Sequence, residues 1–320
     1  PSFIGNYSMA QIHHHSNTLY PKLEELTGQA TGWNGCGGIR FAMNKEELDW
    51  FRYVEGISHN IGFKMEIISP EECKKLVPFV DLKGVIAGAW TLDDGYVDPA
   101  SCCNAMAIGA RNLGATIVRD NRATNAKSLP SGEWEVITEK GNIICEHVVN
   151  AGGCYADRIG AWVGVNVPYI NLKHQYIVTE RVQEFVDRDK QMPVIRDPYC
   201  SAYYRQENKS GLIGVYETVG SREAWPDKRQ DWDSVSELFP EELDPIMPWL
   251  ERVMDRVPIL ADAGLETVIN GAITHTPDDN PLVGPAAGVR NFWLSCGSSI
   301  GIAQGGGCGK YLAQWMIHGE

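Results

Sequence analysis

The stretch from Asn291 to Ile317, NFWLSCGSSIGIAQGGGCGKYLAQWMI, decides the fold. Phe292, Trp293 and Leu294 form one apolar run, the pattern of a strand buried on both faces. Glycines then stand at 297, 301, 305, 306, 307 and 309, while Leu312, Ala313, Met316 and Ile317 recur at helical spacing. Strand, glycine turn and helix in succession predict an α/β fold. Each glycine inside a helix costs about 1 kcal/mol relative to alanine, so Gly305 to Gly309 weaken their own helix. One explanation is a flat or anionic group lying on the loop and first turn, where free N–H groups and the positive end of the helix dipole point outward. The other is close helix–sheet packing. The first is the expectation adopted.

Outward from this stretch, 320 residues with 43% hydrophobic content and 10 Trp give a globular chain long enough for two domains. A formal charge of −13 argues against nucleic acid or an anionic membrane as partner, and suits a cationic or zwitterionic small molecule. The nine cysteines form no CxxC pair, which excludes a zinc ribbon and favours a reducing compartment. No apolar run reaches the roughly 20 residues that span a bilayer, and no signal peptide opens the chain. The expected location is cytoplasmic in a bacterium or the mitochondrial matrix. The sequence starts at Pro1 and not at Met, which suggests that the natural N-terminus is absent.

Ile12, Leu19, Leu23 and Leu26 predict a helix over Met9–Leu26, kinked or restarted at Pro21. His13, His14 and His15 point in three directions on it, so they cannot converge on one metal and are expected to be solvated. Gly35–Ala42 reads as a turn into a strand, Lys45–Ile61 as an amphipathic helix, and Ser69-Pro70 with Glu72 as a capping box. A strand is expected over Val85–Trp90, a helix from Asp98 and Pro99 to Arg111, and a strand again over Ala115–Val118. Trp134, Val136 and Thr138 alternate and open a hairpin whose second arm, Ile143–Val149, is apolar enough for a central sheet. That arm ends in VNAGGCYADRIGAWVG, a second strand, double-glycine turn and helix, where open α/β sheets bind ligands. Strands are expected from Tyr169 to Gly220, proline-broken helix over Val235–Met254, and a loop from Gly271 to Pro285. Within that loop Asp278 and Asp279 are expected to cap backbone N–H groups between Pro277 and Pro281, and no metal is expected at His275.

VVNAGGCYAD, HQYIVTE, YYRQE, GAITHTPDDNPLVGP and GSSIGIAQGGGCGKYLAQW, with GGIRFA at 37–42 and DDGYVDP at 93–99, resemble in order and spacing a known family. It is the FAD-dependent amine-oxidising family of the D-amino-acid-oxidase-like superfamily, which includes dimethylglycine and sarcosine dehydrogenases. The resemblance covers essentially the whole chain. It implies an α/β fold in which an incomplete doubly wound FAD-binding domain, residues 98–163 and 281–320, is interleaved with a β-rich α+β substrate domain, residues 28–97 and 164–280. The helical segment 1–27 would belong to the FAD-binding part. The family's opening strand, GxGxxG and helix, which hold the FAD pyrophosphate, find no match in this sequence, and neither do its C-terminal folate-binding domains. Any covalent attachment of the flavin would lie outside this chain, and tetrahydrofolate would concern only a full-length protein.

Carried over position by position, the resemblance implies flavin contacts at Gly297, Ser298, Ser299, Ile300, Gly301 and Ile302, at Gly152, Gly153 and Tyr155, and through the backbone of Ala123 on the adenine side. The residues acting on the substrate amine fall on His174 and Tyr203, expected across the flavin ring from the glycine loop. A lysine that holds the substrate carboxylate in a related branch is matched by Ala303, which leaves that anchor without a counterpart. A flavin oxidises an amine only when the nitrogen is neutral, and a histidine, with an unperturbed pKa of about 6.5, can take that proton near neutral pH. The implied reaction is oxidative N-demethylation of dimethylglycine or sarcosine, a step of one-carbon metabolism, with electrons passing to an electron-transfer flavoprotein or to oxygen. The rival is a non-catalytic relative of the kind that regulates pyruvate dehydrogenase phosphatase, against which both His174 and Tyr203 speak.

Overall fold

The computed structural model describes residues 2–217, 221–234 and 237–319. The chain opens with α1 (Tyr7–Leu19) and α2 (Leu23–Thr27), separated by a 3-10 turn at Tyr20–Lys22, so the break falls at Pro21 as expected. Asn6 caps α1 by accepting the Met9 N–H. β1 (Gly38–Ala42), α3 (Lys45–Ile61), β2 (Met65–Ile68), α4 (Pro70–Leu76) and β3 (Ala87–Thr91) follow. The Ser69–Glu72 capping box is present in both directions, Glu72 N to Ser69 Oγ at 3.2 Å and Ser69 N to Glu72 Oε2 at 2.8 Å.

Next come α5 (Pro99–Asn112), β4 (Ala123–Ser128), β5 (Trp134–Thr138), β6 (Gly141–Cys145), β7 (Val148–Asn150) and α6 (Ala156–Ala161). Then β8 (Ile170–Arg181), α7 (Gln183–Val186), β9 (Val194–Asp197), β10 (Ala202–Glu207), β11 (Ser210–Val215) and α8 (Met247–Arg256) lead to β12 (Leu265–His275), β13 (Leu282–Pro285), β14 (Phe292–Cys296) and α9 (Gly301–His318).

The strands form three sheets. The largest runs β12-β8-β11-β10-β9-β1-β3-β2 and takes its strands from residues 38–91 and 170–275, while β13-β14-β7 and β4-β5-β6 come from 123–150 and 282–296. In the middle of the large sheet side chains alternate: Gln175, Ile177, Ile195, Asp197, Ala202 and Tyr204 are buried, whereas His174, Tyr176, Arg196, Tyr203 and Arg205 face the other way. The buried side packs on α4, α7 and α8 through Val77, Phe185, Leu250 and Val253. On the opposite side α3 covers only the β1-β3-β2 end, setting Phe51, Val54 and Ile57 on Ala42, Ala87 and Ala89. The β8-β11-β10-β9 part of that face keeps its polar side chains.

Four expectations need correction. Ala115–Val118 is not a strand: it pairs with no strand among the described residues, Ile117 is 39% and Val118 55% exposed, and an extended segment without a ladder partner leaves its amides to water. The second hairpin arm is two strands. Glu146 and His147 interrupt it, β6 remains on the exposed edge of its sheet, and only β7 crosses to pair in parallel with β14. The predicted Val235–Met254 helix begins outside the described residues, and among those described its helix is α8, since Pro240 and Pro245 each remove an amide donor while Pro248 stands in the first turn of α8, where none is needed. The Gly271–Pro285 loop shrinks to 276–281, because β12 continues to His275 against β8.

Candidate functional site

α9 is an 18-residue helix whose N-cap, Ile300, offers no side-chain acceptor, so the N–H groups of its first turn face outward without a capping side chain. A Cβ built on Gly301 meets no atom within 4 Å. Ser298, Ser299 and Ile300 are half-buried, Gly301 and Ile302 exposed. Gly297 has φ +71, and a Cβ there would stand 2.6 Å from Thr276 Cγ2, so glycine is required on two counts. The site is thus a helix N-terminus with open space over a glycine, suited to the electron-rich edge of a flat ring.

The other glycines have a different reason. A Cβ on Gly307 would lie 2.2 Å from Ile12 O and one on Gly306 3.2 Å from Ser16 Oγ, so these two are bare because α1 crosses α9 at backbone contact. The Gly307 N–H donates to Ser16 Oγ at 3.1 Å and the Gly306 N–H to Tyr20 Oη at 3.2 Å, while Tyr20 Oη donates to Ile302 O at 2.5 Å. The expectation that a bound ring keeps this whole cluster bare is therefore corrected for Gly306 and Gly307, where helix packing accounts for it. His13 is corrected too: it is 1% exposed, not solvated, and His14 and His15 are half-buried with pKa values lowered chiefly by desolvation.

The VNAGG turn follows β7. A Cβ on Gly152 would meet Ile159 Cδ1 at 2.4 Å, so this glycine seats α6, while Gly153 has φ +55 and open space around it. Tyr155 stacks on Trp232 at 5.0 Å and 9°, and its hydroxyl donates to Asp231 O at 2.7 Å, so one ring face is already covered. Arg158 lies over the same indole at 3.6 Å. Ala123 opens β4, half-buried and paired with Thr138. Asp278 accepts the Asn280 side-chain amide at 3.1 Å and its backbone N–H at 3.2 Å, which together hold its carboxyl below the usual range. No cluster of metal-ligating side chains occurs among the described residues.

Both glycine turns meet one end of the β8/β12 ladder. Tyr169, immediately before β8, donates its hydroxyl to Cys154 O at 2.9 Å and accepts the Asp157 N–H at 3.2 Å. Thr276, immediately after β12, is the neighbour of Gly297. Four rungs along, about 13 Å at strand rise, His174 pairs with Gly271.

Here His174 Nε2 lies 3.2 Å from Tyr203 Oη, with the rings 6.0 Å apart. Tyr203 is opposite Gly214, and a Cβ on that glycine would fall 2.0 Å from Tyr203 Cζ, so the bare residue on β11 is what lets the phenol lie across the strand toward His174. Burial, then the neighbouring Tyr216, pushes the Tyr203 phenol well above its ordinary pKa, which keeps it a hydrogen-bond donor. Sequence reasoning missed two partners. Tyr216 sits 5.6 Å from the His174 ring and 5.4 Å from Tyr203, and Glu217, its side chain 8% exposed, brings Oε2 to 3.7 Å from His174 Nδ1. No short motif marks them; register alone brings the end of β11 to this place. The structure thus joins His174 to Tyr203, and joins each glycine turn to the far end of their ladder.

The arrangement fits the ring end of FAD: the first turn of α9 presents free N–H groups and the space above Gly301 is open. Residues 2–315 match the family described as FAD dependent oxidoreductase, DAO. The chain is 37% identical over 321 residues to mitochondrial dimethylglycine dehydrogenase of Rattus norvegicus, covering 99% of this chain and 38% of that protein. It is 32% identical over 318 residues to mitochondrial sarcosine dehydrogenase of Homo sapiens, covering 96% of this chain and 33% of that one. The chain therefore spans under two fifths of the length of these relatives. The fold superposes on L-proline dehydrogenase from P. horikoshii with a TM-score of 0.83 at 24% identity, covering 100% of this chain and 82% of that one. No helix among the described residues is long and apolar enough to cross a membrane. By sequence and by architecture, the chain belongs to the DAO family of FAD-dependent oxidoreductases.

Proposed function

We propose that the protein catalyses oxidative N-demethylation of a methylated glycine, dimethylglycine or sarcosine, with His174 and Tyr203 handling the amine proton. The observation that carries this reading is the 3.2 Å contact of His174 Nε2 with Tyr203 Oη on the face of the large sheet opposite α4, α7 and α8. FAD, with its ring end at the first turn of α9, would supply the acceptor for the hydride that leaves the carbon beside nitrogen. Gly297 to Ile302 and Gly153 would hold it.

A methylated glycine reaches neutral solution as an ammonium, which has no lone pair, so a proton must leave before the adjacent C–H bond can break. His174 Nε2 is the acceptor. Glu217, nearly buried and 3.7 Å from Nδ1, orients the ring and favours the tautomer with the proton on Nδ1. Tyr203 stays protonated, donates its O–H, and orients the nitrogen lone pair. The residues 38–91 and 170–275 then serve the substrate, and the parts around β7, β14 and α9 serve the cofactor.

The test is anaerobic mixing of the purified, flavin-loaded protein with dimethylglycine or sarcosine. Bleaching of the flavin is expected, with His174→Ala slowing it about 100-fold or more while leaving the flavin spectrum unchanged. A bound flavin that neither substrate bleaches would favour the non-catalytic, regulatory relative; a normal rate in the variant would remove His174 from the mechanism.

A further inference from the structure

An amino acid carries its amine and its carboxylate one carbon apart. Whatever holds the carboxylate must therefore stand beside the pair that handles the amine. Ala303, where a related branch has lysine, is 7% exposed and carries no charge.

Across β10, β9 and β1 the register sets Tyr203 opposite Arg196 and Arg196 opposite Arg40, three residues in a row on one face at about 5 Å per strand. Arg196 Nη1 donates to Tyr216 Oη at 3.3 Å, the ring that packs on both His174 and Tyr203. The guanidinium thus borders the site through one phenol.

The charges around it do not balance. Arg205, two residues past Tyr203, is paired with Glu207 at 2.5 Å, and Arg256 with Asp197 at 2.7 Å. Among the described residues neither Arg40 nor Arg196 has a carboxylate within ion-pair distance, although acidic residues outnumber basic ones, 41 to 28. Arg40 lies over the Phe3 ring at 5.4 Å. Its pKa is lowered by burial first and by the charge of Arg196 second. The acid nearest to compensating it, Glu47, has Oε2 engaged by the Met43 N–H at 2.6 Å. Two half-buried cations held side by side without an anion are unfavourable until one arrives.

We propose that Arg196, with Arg40 behind it, receives the carboxylate of the substrate, so that this chain recognises amines bearing an anionic group one carbon from nitrogen. The inference rests on the functional reading above and deepens it. A carboxylate seated between the two guanidinium groups neutralises their repulsion and accepts N–H donors from a planar fork. Its nitrogen then lies on the side of Tyr203, one strand away, whose hydroxyl reaches across β11 toward His174 on β8.

The flavin-loaded protein and its Arg196→Met, Arg196→Lys and Arg40→Met variants are titrated anaerobically with dimethylglycine and with N,N-dimethylglycinamide, which lacks the charge. Acetate binding is measured separately by calorimetry. For Arg196→Met the apparent dissociation constants of dimethylglycine and acetate should rise about 10- to 100-fold, with a smaller rise for Arg196→Lys and Arg40→Met. The amide's affinity should change far less than that of dimethylglycine, a selectivity that a merely misfolded variant would fail to show. Equal losses for the amide, unchanged affinities in Arg196→Met, or wild-type protein that does not bind acetate would each overturn the proposal. If no methylated glycine reduces the flavin, the proposed reaction falls, and loss of acetate binding in Arg196→Met still upholds the carboxylate site.

Discussion

Replacing Gly307 by alanine should destabilise the fold, although alanine is the better helix former by about 1 kcal/mol. The added Cβ would sit 2.2 Å from Ile12 O and 2.6 Å from Ile12 Cα, both main-chain atoms, so no side-chain rotation relieves it. α1 must move away from α9. Overpacking of this kind costs about 1–3 kcal/mol, and a main-chain obstacle places it at the upper end. The same movement stretches the Gly307 N to Ser16 Oγ and Gly306 N to Tyr20 Oη hydrogen bonds, each worth about 1 kcal/mol. Set against the propensity gain, the net loss is about 2–4 kcal/mol.

Gly309, two residues along the same helix, meets nothing within 4 Å, so Gly309→Ala should instead stabilise by about 0.5–1 kcal/mol. Urea unfolding followed by the fluorescence of the 10 Trp residues reads both midpoints. A Gly307→Ala protein as stable as Gly309→Ala would refute the account of why this helix tolerates so much glycine.

Gly214→Ala should act on the reaction and not chiefly on folding. Its Cβ would stand 2.0 Å from Tyr203 Cζ, so the phenol must leave His174, and flavin reduction by dimethylglycine should slow about 100-fold; a rate close to wild type would contradict the placement of Tyr203. Stability should also fall as pH rises above 9. Burial pushes the thiols of Cys73, Cys102, Cys296 and Cys308 up to about 11 and that of Cys200 to about 12, against an unperturbed value of 9.0. The unfolded chain then releases these protons first, so it binds fewer protons than the native state between pH 9 and about 11, and unfolding becomes easier across that window. Urea midpoints that stay level from pH 8.5 to 10.5 would count against such burial.

The elements were legible where local chemistry fixes them. Ser69, Pro70 and Glu72 start a helix by themselves, and Pro21 interrupts one. The strand, glycine turn and helix around Cys296 likewise follow from period and glycine content. What local chemistry could not show is which neighbour a residue meets. Ile117 and Val118 have the composition of a strand but no ladder partner among the described residues, and the arm after Lys140 divides because β7 has β14 beside it and β6 does not. Gly306 and Gly307 look identical in sequence to Gly309, yet only the first two lie under α1. At the site, His174 and Tyr203 came from the resemblance. Tyr216, Glu217 and Arg196 become visible only once the register of β8 to β11 is known.

The Tyr20 hydroxyl holds Ile302 O and the Gly306 N–H at once, from a position 282 residues earlier in the chain than Ile302. The angle at which the last helix aims its positive pole is thereby set by a phenol at the far end of the sequence. Loosening that tether would re-aim a dipole without altering any group it points toward, and the consequence should appear as a shifted midpoint potential of the bound flavin, a tuning screw remote from the ring it adjusts.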